Sequence, residues 1–377
     1  MRDDLITRKQ FAAVILVSLL SPLLRLLPQT AVGFAGRAAW LSAVPALLPL
    51  AGLGLILASF RRYMRPGEGM GGLLLRWLGP AAGRLVLILY AGWFLFYGGF
   101  ILRSGAERLV STIYPSSGPT MFILVTIGLC LLVALGDLRA AARTAVLMRG
   151  VLIGALALVV ILSTPNMDAD KLLPVGWRDA GPIALGALPL ASVGAVAGCF
   201  SFLSGYVQPP ENRRWPLGAM LLLLALGSVI TAAVICVFGP ELSATLTYPF
   251  FIMIRSISLW NLVPRIEAVV IAAWVGADFM LCTMLLRCAH EALRPVFGLP
   301  SPEGRPAGSL RGGRFLLWLE AAAVLGCGLI FDLPPWKLRL WSDRFIPLLS
   351  DGFLFGGFFL LWLVTIPRRK KERNSGG

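Results

Sequence analysis

The stretch FAAVILVSLLSPLLRLLPQT, residues 11–30, sets the reading of this chain. It stays apolar over the roughly 20 residues that an α-helix needs to cross a hydrocarbon core about 30 Å thick. It also carries Pro22, Pro28 and Arg25, three residues that such a helix ordinarily avoids. Proline removes a helical hydrogen bond, and a cation at mid-span costs about 2.5–3.5 kcal/mol on insertion scales. The stretch therefore predicts a membrane helix with a functional interruption. A cleaved signal peptide is the poorer reading, because the run is longer than an ordinary apolar signal core and is interrupted.

Outward from this stretch the same apolar signal recurs. Spans are expected near 11–30, 38–60, 84–104, 119–136, 145–163, 181–207, 216–239, 265–288, 314–331 and 345–366. The third is expected to continue as helix to about Val110. The apolar segment 243–262 is bracketed by Pro249 and Pro264 and holds Arg255, so it reads as interfacial or re-entrant. Of 377 residues, 57% are hydrophobic and 14% charged, against roughly 25% charged in an average soluble domain. Such a chain has too little polar surface to cover itself in water, so its surplus apolar surface faces lipid.

The net charge of +15 would suggest nucleic acid in a soluble protein. Here 23 of the 34 basic residues fall on one side if the N-terminus is cytoplasmic, the bias that sets membrane topology. Both termini are then cytoplasmic, no nucleic-acid role is needed, and some attraction to anionic lipid remains. The six cysteines lie in or beside apolar segments and form no Cys-x-x-Cys pair, so they read as small buried hydrophobes. His290 has no acidic or cysteine cluster near it in sequence beyond Glu291 and reads as a loop or helix-end residue rather than a ligand or catalyst. No nucleophile–base pair, metal cluster or phosphate loop is present, so no catalytic residue, metal site or cofactor is expected.

Chemistry is expected where backbone leaves the helix inside the membrane, because no water satisfies the freed N–H and C=O groups. The first span breaks at Ser21 and Pro22. The sixth holds Gly181, Pro182, Gly186, Pro189, Gly194, Gly198, Ser201, Ser204 and Gly205. First and sixth are corresponding positions if the chain is two five-helix halves, 1–163 and 164–366, followed by a basic tail, 367–377. Gly194-x-x-x-Gly198 is also a plain helix-packing motif. Arg25 must pair, snorkel to the surface or line a wet cavity. In the third span Trp93, Phe96, Tyr97 and Phe100 share one helical face, and Arg103 and Glu107 form an i,i+4 pair. Asp278, deep in the eighth span, is the carboxylate taken for an ion site, either neutral or paired with a cation such as Arg25 or Arg103.

Several short motifs, in order, carry a resemblance. They are Lys9-Gln10-Phe11; Leu27-Pro28 with Ala39-Trp40-Leu41-Ser42; Gly92-Trp93-Phe94-Leu95; Arg103 with Glu107; Gly181-Pro182-Ile183; and Pro210-Glu211-Asn212-Arg213-Arg214. Tyr248-Pro249, then Val263-Pro264-Arg265-Ile266-Glu267 with Trp274, then Trp341-Ser342-Asp343, complete the set. Together they resemble the B-subunit family of spore germinant receptors, the spore permeases of the amino acid–polyamine–organocation superfamily. The resemblance implies a five-plus-five inverted-repeat fold of about ten helices with helices 1 and 6 broken. A small nutrient, often an amino acid, would bind between them. Carried over by position, the ligand set is Ser21, Pro22, Trp93, Tyr97, Gly198, Cys199, Phe200, Ser201 and Met280, with Arg25 and Asp278 as charge partners. The resemblance also implies an A subunit and a C-subunit lipoprotein as partners in the spore inner membrane. A free-standing secondary transporter of an amino acid or organic amine is the alternative.

Overall fold

The computed structural model describes residues 5–65, 68–112, 116–208, 216–256, 263–299 and 311–367. The Pro210–Arg214 motif, residues 257–262 of the expected re-entrant segment and the basic tail from Arg368 lie outside them. Among the described residues regular structure is helical, apart from one isolated parallel bridge between Ile6 and Val207. Eight helical stretches are long and apolar enough to cross a bilayer, one of them joining the end of the first helix to the second, and Pro119–Leu135 is a shorter apolar helix.

In chain order the helices are α1 (Arg8–Ala35), α2 (Ala43–Arg61), the short α3 (Met70–Leu78), α4 (Pro80–Thr112), α5 (Pro119–Leu135) and α6 (Leu138–Ser163). Then come α7 (Ala180–Ala195) with a 3-10 continuation (Val196–Tyr206), α8 (Leu217–Phe238), the short α9 (Pro240–Thr245) and α10 (Pro249–Arg255), α11 (Val263–Leu293) and α12 (Arg311–Ile330). The last rod runs through α13 (Pro335–Leu340), α14 (Ile346–Asp351) and α15 (Gly357–Val364), joined by π-helical turns at Trp341–Phe345 and Gly352–Gly356. Each of the ten expected spans overlaps one of these helices, although Pro119–Leu135 is shorter than a full crossing. The described part of the segment read as interfacial or re-entrant becomes α9 and α10, both too short to span.

Local chemistry sets the boundaries. Thr7 caps α1, its hydroxyl accepting from the Gln10 amide at 3.2 Å while the Gln10 side chain accepts from the Thr7 amide at 2.9 Å. Gly79, at φ +84°, turns α3 into α4, and Gly239, at φ +78°, turns α8 into α9; a side chain is strained in that region.

Helix α1 is the axis of the molecule. Every residue from Ala13 to Arg25 is buried, and α1 packs against α6, α7, α8 and α11. The outer helices α6 and α12 leave Leu147, Val151, Phe315, Trp318 and Ile330 exposed, as lipid-facing surfaces do. The break expected in the first span is not found: helical backbone runs through both Pro22 and Pro28. Proline removes one donor, and a helix packed on all sides absorbs that loss without unwinding. The sixth span does leave α-geometry, at Val196, and holds a 3-10 conformation for 11 residues. Such runs rarely exceed four residues. Gly194 and Gly198 permit close packing there, since an added Cβ would meet Leu50 at 2.6 Å and Phe358 at 3.0 Å respectively.

Candidate functional site

The middle of α1 carries a buried polar cluster. Ser21 Oγ donates to Asp278 Oδ1, and Arg108 Nη2 donates to Asp278 Oδ2. Trp274 Nε1 donates to Ser21 Oγ at 2.8 Å. The Arg108 guanidinium carbon lies 4.3 Å from the centre of the Trp274 ring. Helices α1, α4 and α11 are thereby joined by one carboxylate, one guanidinium, one hydroxyl and one indole. Asp278 is paired with Arg108, not with Arg25 or Arg103. Arg103 instead bonds Glu107 at 3.3 Å, as the i,i+4 spacing predicts, and Asp332 at 2.8 Å.

One turn beyond Ser21 on α1 stands Arg25. It is 7% exposed, so it does not snorkel to lipid. Its guanidinium lies 5.2 Å from the centre of the Phe100 ring, and Nη2 is buried without a hydrogen-bond partner. Arg25 lines a cavity of about 520 Å³ that includes Glu107, Tyr248, Phe251, Arg339 and Asp343. These residues come from α1, α4, the α9–α10 segment and the start of the last rod, all at one end of the bundle. A buried guanidinium with an unmet N–H, facing a polar cavity of this size, suits a small solute bearing an anionic group.

The residues assigned to a mid-membrane pocket do not line that cavity. Trp93 stacks on Tyr97 (centroids 5.7 Å apart, planes 5° apart) and on Phe353 (5.3 Å, 7°). Phe353 belongs to the π-helical turn, whose freed carbonyl accepts from Tyr90 Oη at 3.0 Å. Gly198, Cys199, Phe200, Ser201 and Met280 are buried, and Gly198 abuts Phe358. Pro22 is buried beside Ser21 in α1. Trp93, Tyr97 and Phe353 are thus stacked on one another, and the cavity around Arg25 lies one turn further along α1 than Ser21.

Several functional candidates escaped the sequence reading. Arg108 was not singled out, yet it lies on the helical face of Tyr97, Ile101 and Ser104 at i+11, i+7 and i+4. Asp278 is not the single intramembrane carboxylate. Glu320, 2% exposed in α12, faces His290, with Nδ1 and Oε2 3.2 Å apart. Asp351 accepts from Ser192 Oγ at 2.7 Å. Both lie inside expected spans and carried the same signal as Asp278. His290 sits near the end of α11 but is buried and paired, not a surface residue.

The model of a family described as spore germination protein, the spore permeases, matches residues 5–303. A curated relative, the putative spore germination protein YfkT of Bacillus subtilis (strain 168), is 23% identical over 227 residues. That match covers 58% of this chain and 59% of the relative, less than two thirds of its length. Two solved structures share the fold. A substrate-bound, outward-open Na+-coupled sialic acid symporter superposes with a TM-score of 0.60 at 14% identity, over 92% of this chain and 79% of its own. MhsT in complex with L-phenylalanine superposes with a TM-score of 0.62 at 15% identity, over 94% and 89%. At these identities the likeness establishes an inverted-repeat transporter fold and nothing about ligands.

Proposed function

Because the chain belongs to the spore germination protein family, a family of multi-pass membrane proteins with a permease fold, we propose that it is the nutrient-sensing membrane subunit of a spore germinant receptor. A small nutrient with a carboxylate, an amino acid foremost, enters the cavity above Arg25 and sets its anionic group against the unmet Nη2. The observation that carries this reading is the guanidinium itself. It is buried, its nearest carboxylate inward is already held by Arg108, and it rests on an aromatic ring. A buried cation without a paired anion is costly, and a ligand carboxylate relieves that cost. Glu107 and Asp343 in the same cavity supply negative charge for an ammonium group.

In this reading both termini are cytoplasmic, the cavity opens outward, and residues 1–163 and 164–366 are the two repeats. Support for the repeats comes from helix order. The 33-residue α4 and the 31-residue α11 are third in their halves and pack on each other, as do α1 and α7, first in theirs. Ser21, Trp93, Tyr97 and Gly198–Ser201 lie inward of the cavity on these helices and form the path to a mid-membrane site. The A and C subunits complete the receptor.

Secondary transport is the second reading, favoured by the symporter neighbours. Against coupling to sodium stands Arg108, whose guanidinium fills the place between α1 and α11 where Ser21 and Asp278 would otherwise offer oxygen ligands to a cation.

The test is binding of single amino acids, sugars and nucleosides to the purified protein. A hydrogen bond to a charged group contributes about 1.5–3 kcal/mol, so Arg25→Gln should weaken an amino acid about 10- to 150-fold. Equal affinity in the variant overturns the role of Arg25. Net uptake of the bound solute into liposomes by this chain alone favours the transporter.

A further inference from the structure

At the end of the bundle opposite the cavity, His290 on α11 and Glu320 on α12 face each other at 1% and 2% exposure. Their Nδ1 and Oε2 atoms are 3.2 Å apart, a distance that accommodates one hydrogen bond. The other polar atom of each, His290 Nε2 and Glu320 Oε1, is buried without a partner. Glu320 lies nine residues into α12, about 13 Å along its axis, and His290 three residues before the end of α11. Neither residue takes part in the solute reading.

The surroundings are specific. Arg287 and Arg294 act on the imidazole and Glu291 on Glu320. Those three are engaged elsewhere. Arg287 Nη2 donates to the carbonyls of Val133 and Gly136 at the end of α5. Glu291 accepts from Tyr206 Oη at 2.7 Å and from Arg294 Nη1 at 3.0 Å. Helices α4 and α5 pack on α12, and the buried cluster at that interface is apolar, with Leu102, Ile127 and Leu131 and, as its titratable groups, the thiols of Cys130 and Cys282. Helix α3 meets α11 through Gly71, against the Glu291 carbonyl. The contacts of α1, α6 and α10 with α11 fall further along it, at Asp278, Gly276 and Trp274.

A hydrogen-bonded imidazole and carboxylate have three charge states. With a neutral imidazole donating Nδ1–H to an ionised carboxylate, the pair carries one negative charge in an apolar shell, and an uncompensated buried charge is heavily penalised. One added proton, on Nε2 or on Oε1, makes the pair neutral overall, and those are the two atoms left without partners. A second would leave it cationic between Arg287 and Arg294.

We infer that His290 and Glu320 form a proton-binding site at the α11–α12 interface, holding one proton beyond the Nδ1–H at neutral pH. The balance is simple. The anionic pair takes H+ from water, forms one N–H or O–H bond, breaks none in the protein, and returns the proton when water reaches the interface. The site lies one residue from Glu291, which ties α11 to the end of the 3-10 segment through Tyr206.

The chain contains one histidine, so its imidazole gives a single NMR signal. The experiment uses the full protein in lipid nanodiscs, labelled with nitrogen-15 in histidine and carbon-13 in glutamate carboxyls. Dipolar coupling to that imidazole picks out the Glu320 carboxyl. At pH 7 either the carboxyl is protonated or the imidazole is doubly protonated, and on raising the pH both signals move in one step. Glu320→Gln removes that step from the imidazole signal; should the variant not fold, His290→Asn moves the carboxyl step to a different pH. A neutral imidazole beside an ionised carboxylate at pH 7 overturns the proposal, as does the imidazole step persisting in Glu320→Gln or the carboxyl step keeping its midpoint in His290→Asn. Solute affinity is not read, so this result stands apart from that of Arg25→Gln.

Discussion

Removing the carboxylate of Asp278 tests whether the cluster around Ser21 holds the bundle together. In Asp278→Ala, Arg108 keeps its place over the Trp274 ring, 4.3 Å away, but loses its anion while its side chain stays 7% exposed. Breaking one half of a buried pair costs about 3–5 kcal/mol, because the remaining charge stays desolvated. Ser21 loses its acceptor as well, a further loss of about 1 kcal/mol. Arg108→Met leaves Asp278 with Ser21 alone and should cost about as much. The double variant carries neither charge and should recover most of the loss, so the cycle gives a coupling of about 2–4 kcal/mol. Asp278→Asn separates the parts, since its amide oxygen still accepts from Ser21 while the charge is gone. The assay is the unfolding midpoint of purified protein in detergent, where the single variants should fall by about 5–10 °C. A coupling below about 0.5 kcal/mol, or a double variant as unstable as the sum of the singles, refutes the reasoning.

Four further outcomes follow from the geometry. An added Cβ at Gly99 would lie 2.5 Å from the Cys327 Cβ and 2.9 Å from both the Gly328 nitrogen and the Val324 oxygen, so Gly99→Ala should destabilise by about 3 kcal/mol. Gly92→Ala, with open space at its Cβ position, should leave the unfolding midpoint unchanged. Gly198→Leu drives a side chain into Phe358, 3.0 Å from the Cβ position, and should abolish the response to germinant while the protein still inserts; an unchanged dose–response rules out a role for this segment. Replacing sodium by choline should leave solute affinity unaltered in the parent and make it sodium-dependent in Arg108→Ala, where Ser21 and Asp278 become free to hold a cation. Sodium dependence in the parent contradicts the assignment of Arg108.

The positions of the long apolar helices were legible because bilayer thickness imposes a length and an apolar content that a single sequence displays. The short α9 and α10 were legible from Pro249 and Arg255, and the Arg103–Glu107 pair from its spacing along one helix. The continuity of α1 was not. Pro22 and Pro28 weaken a helix locally, while what keeps α1 helical is burial of Ala13 to Arg25 against four other helices. The partner of Asp278 lay 170 residues away, and no local pattern encodes a contact of that separation. The stack of Trp93 on Phe353 depends on a π-helical turn within the last rod, where Gly352, Gly356 and Gly357 mark looseness without saying which turn widens. Glu320 was a different matter, since a carboxylate in an apolar run is as plain there as at Asp278.

Arg108 also bears on what kind of device the fold makes. A coupled symporter draws work from an ion that arrives from one side and leaves to the other, and its binding must alter the contact between moving helices. A guanidinium tethered to α4 cannot leave. It pairs with Asp278, the carboxylate that also holds Ser21 of α1 to α11, so on the reading proposed above this position supplies no work for uphill transport. On the same reading it braces the helices around Arg25, one turn away, whose cost of burial a bound anion would relieve. An arrangement of that kind converts solute concentration into occupancy at equilibrium, the requirement for sensing. On this argument an Arg108→Ala protein should lose stiffness before it loses ligand, and amide hydrogen exchange along α1 and α11 should rise in it while ligand affinity changes less than tenfold in sodium. Equal exchange protection in parent and variant would show that the frame does not depend on Arg108, and the case for a built-in cation would fail.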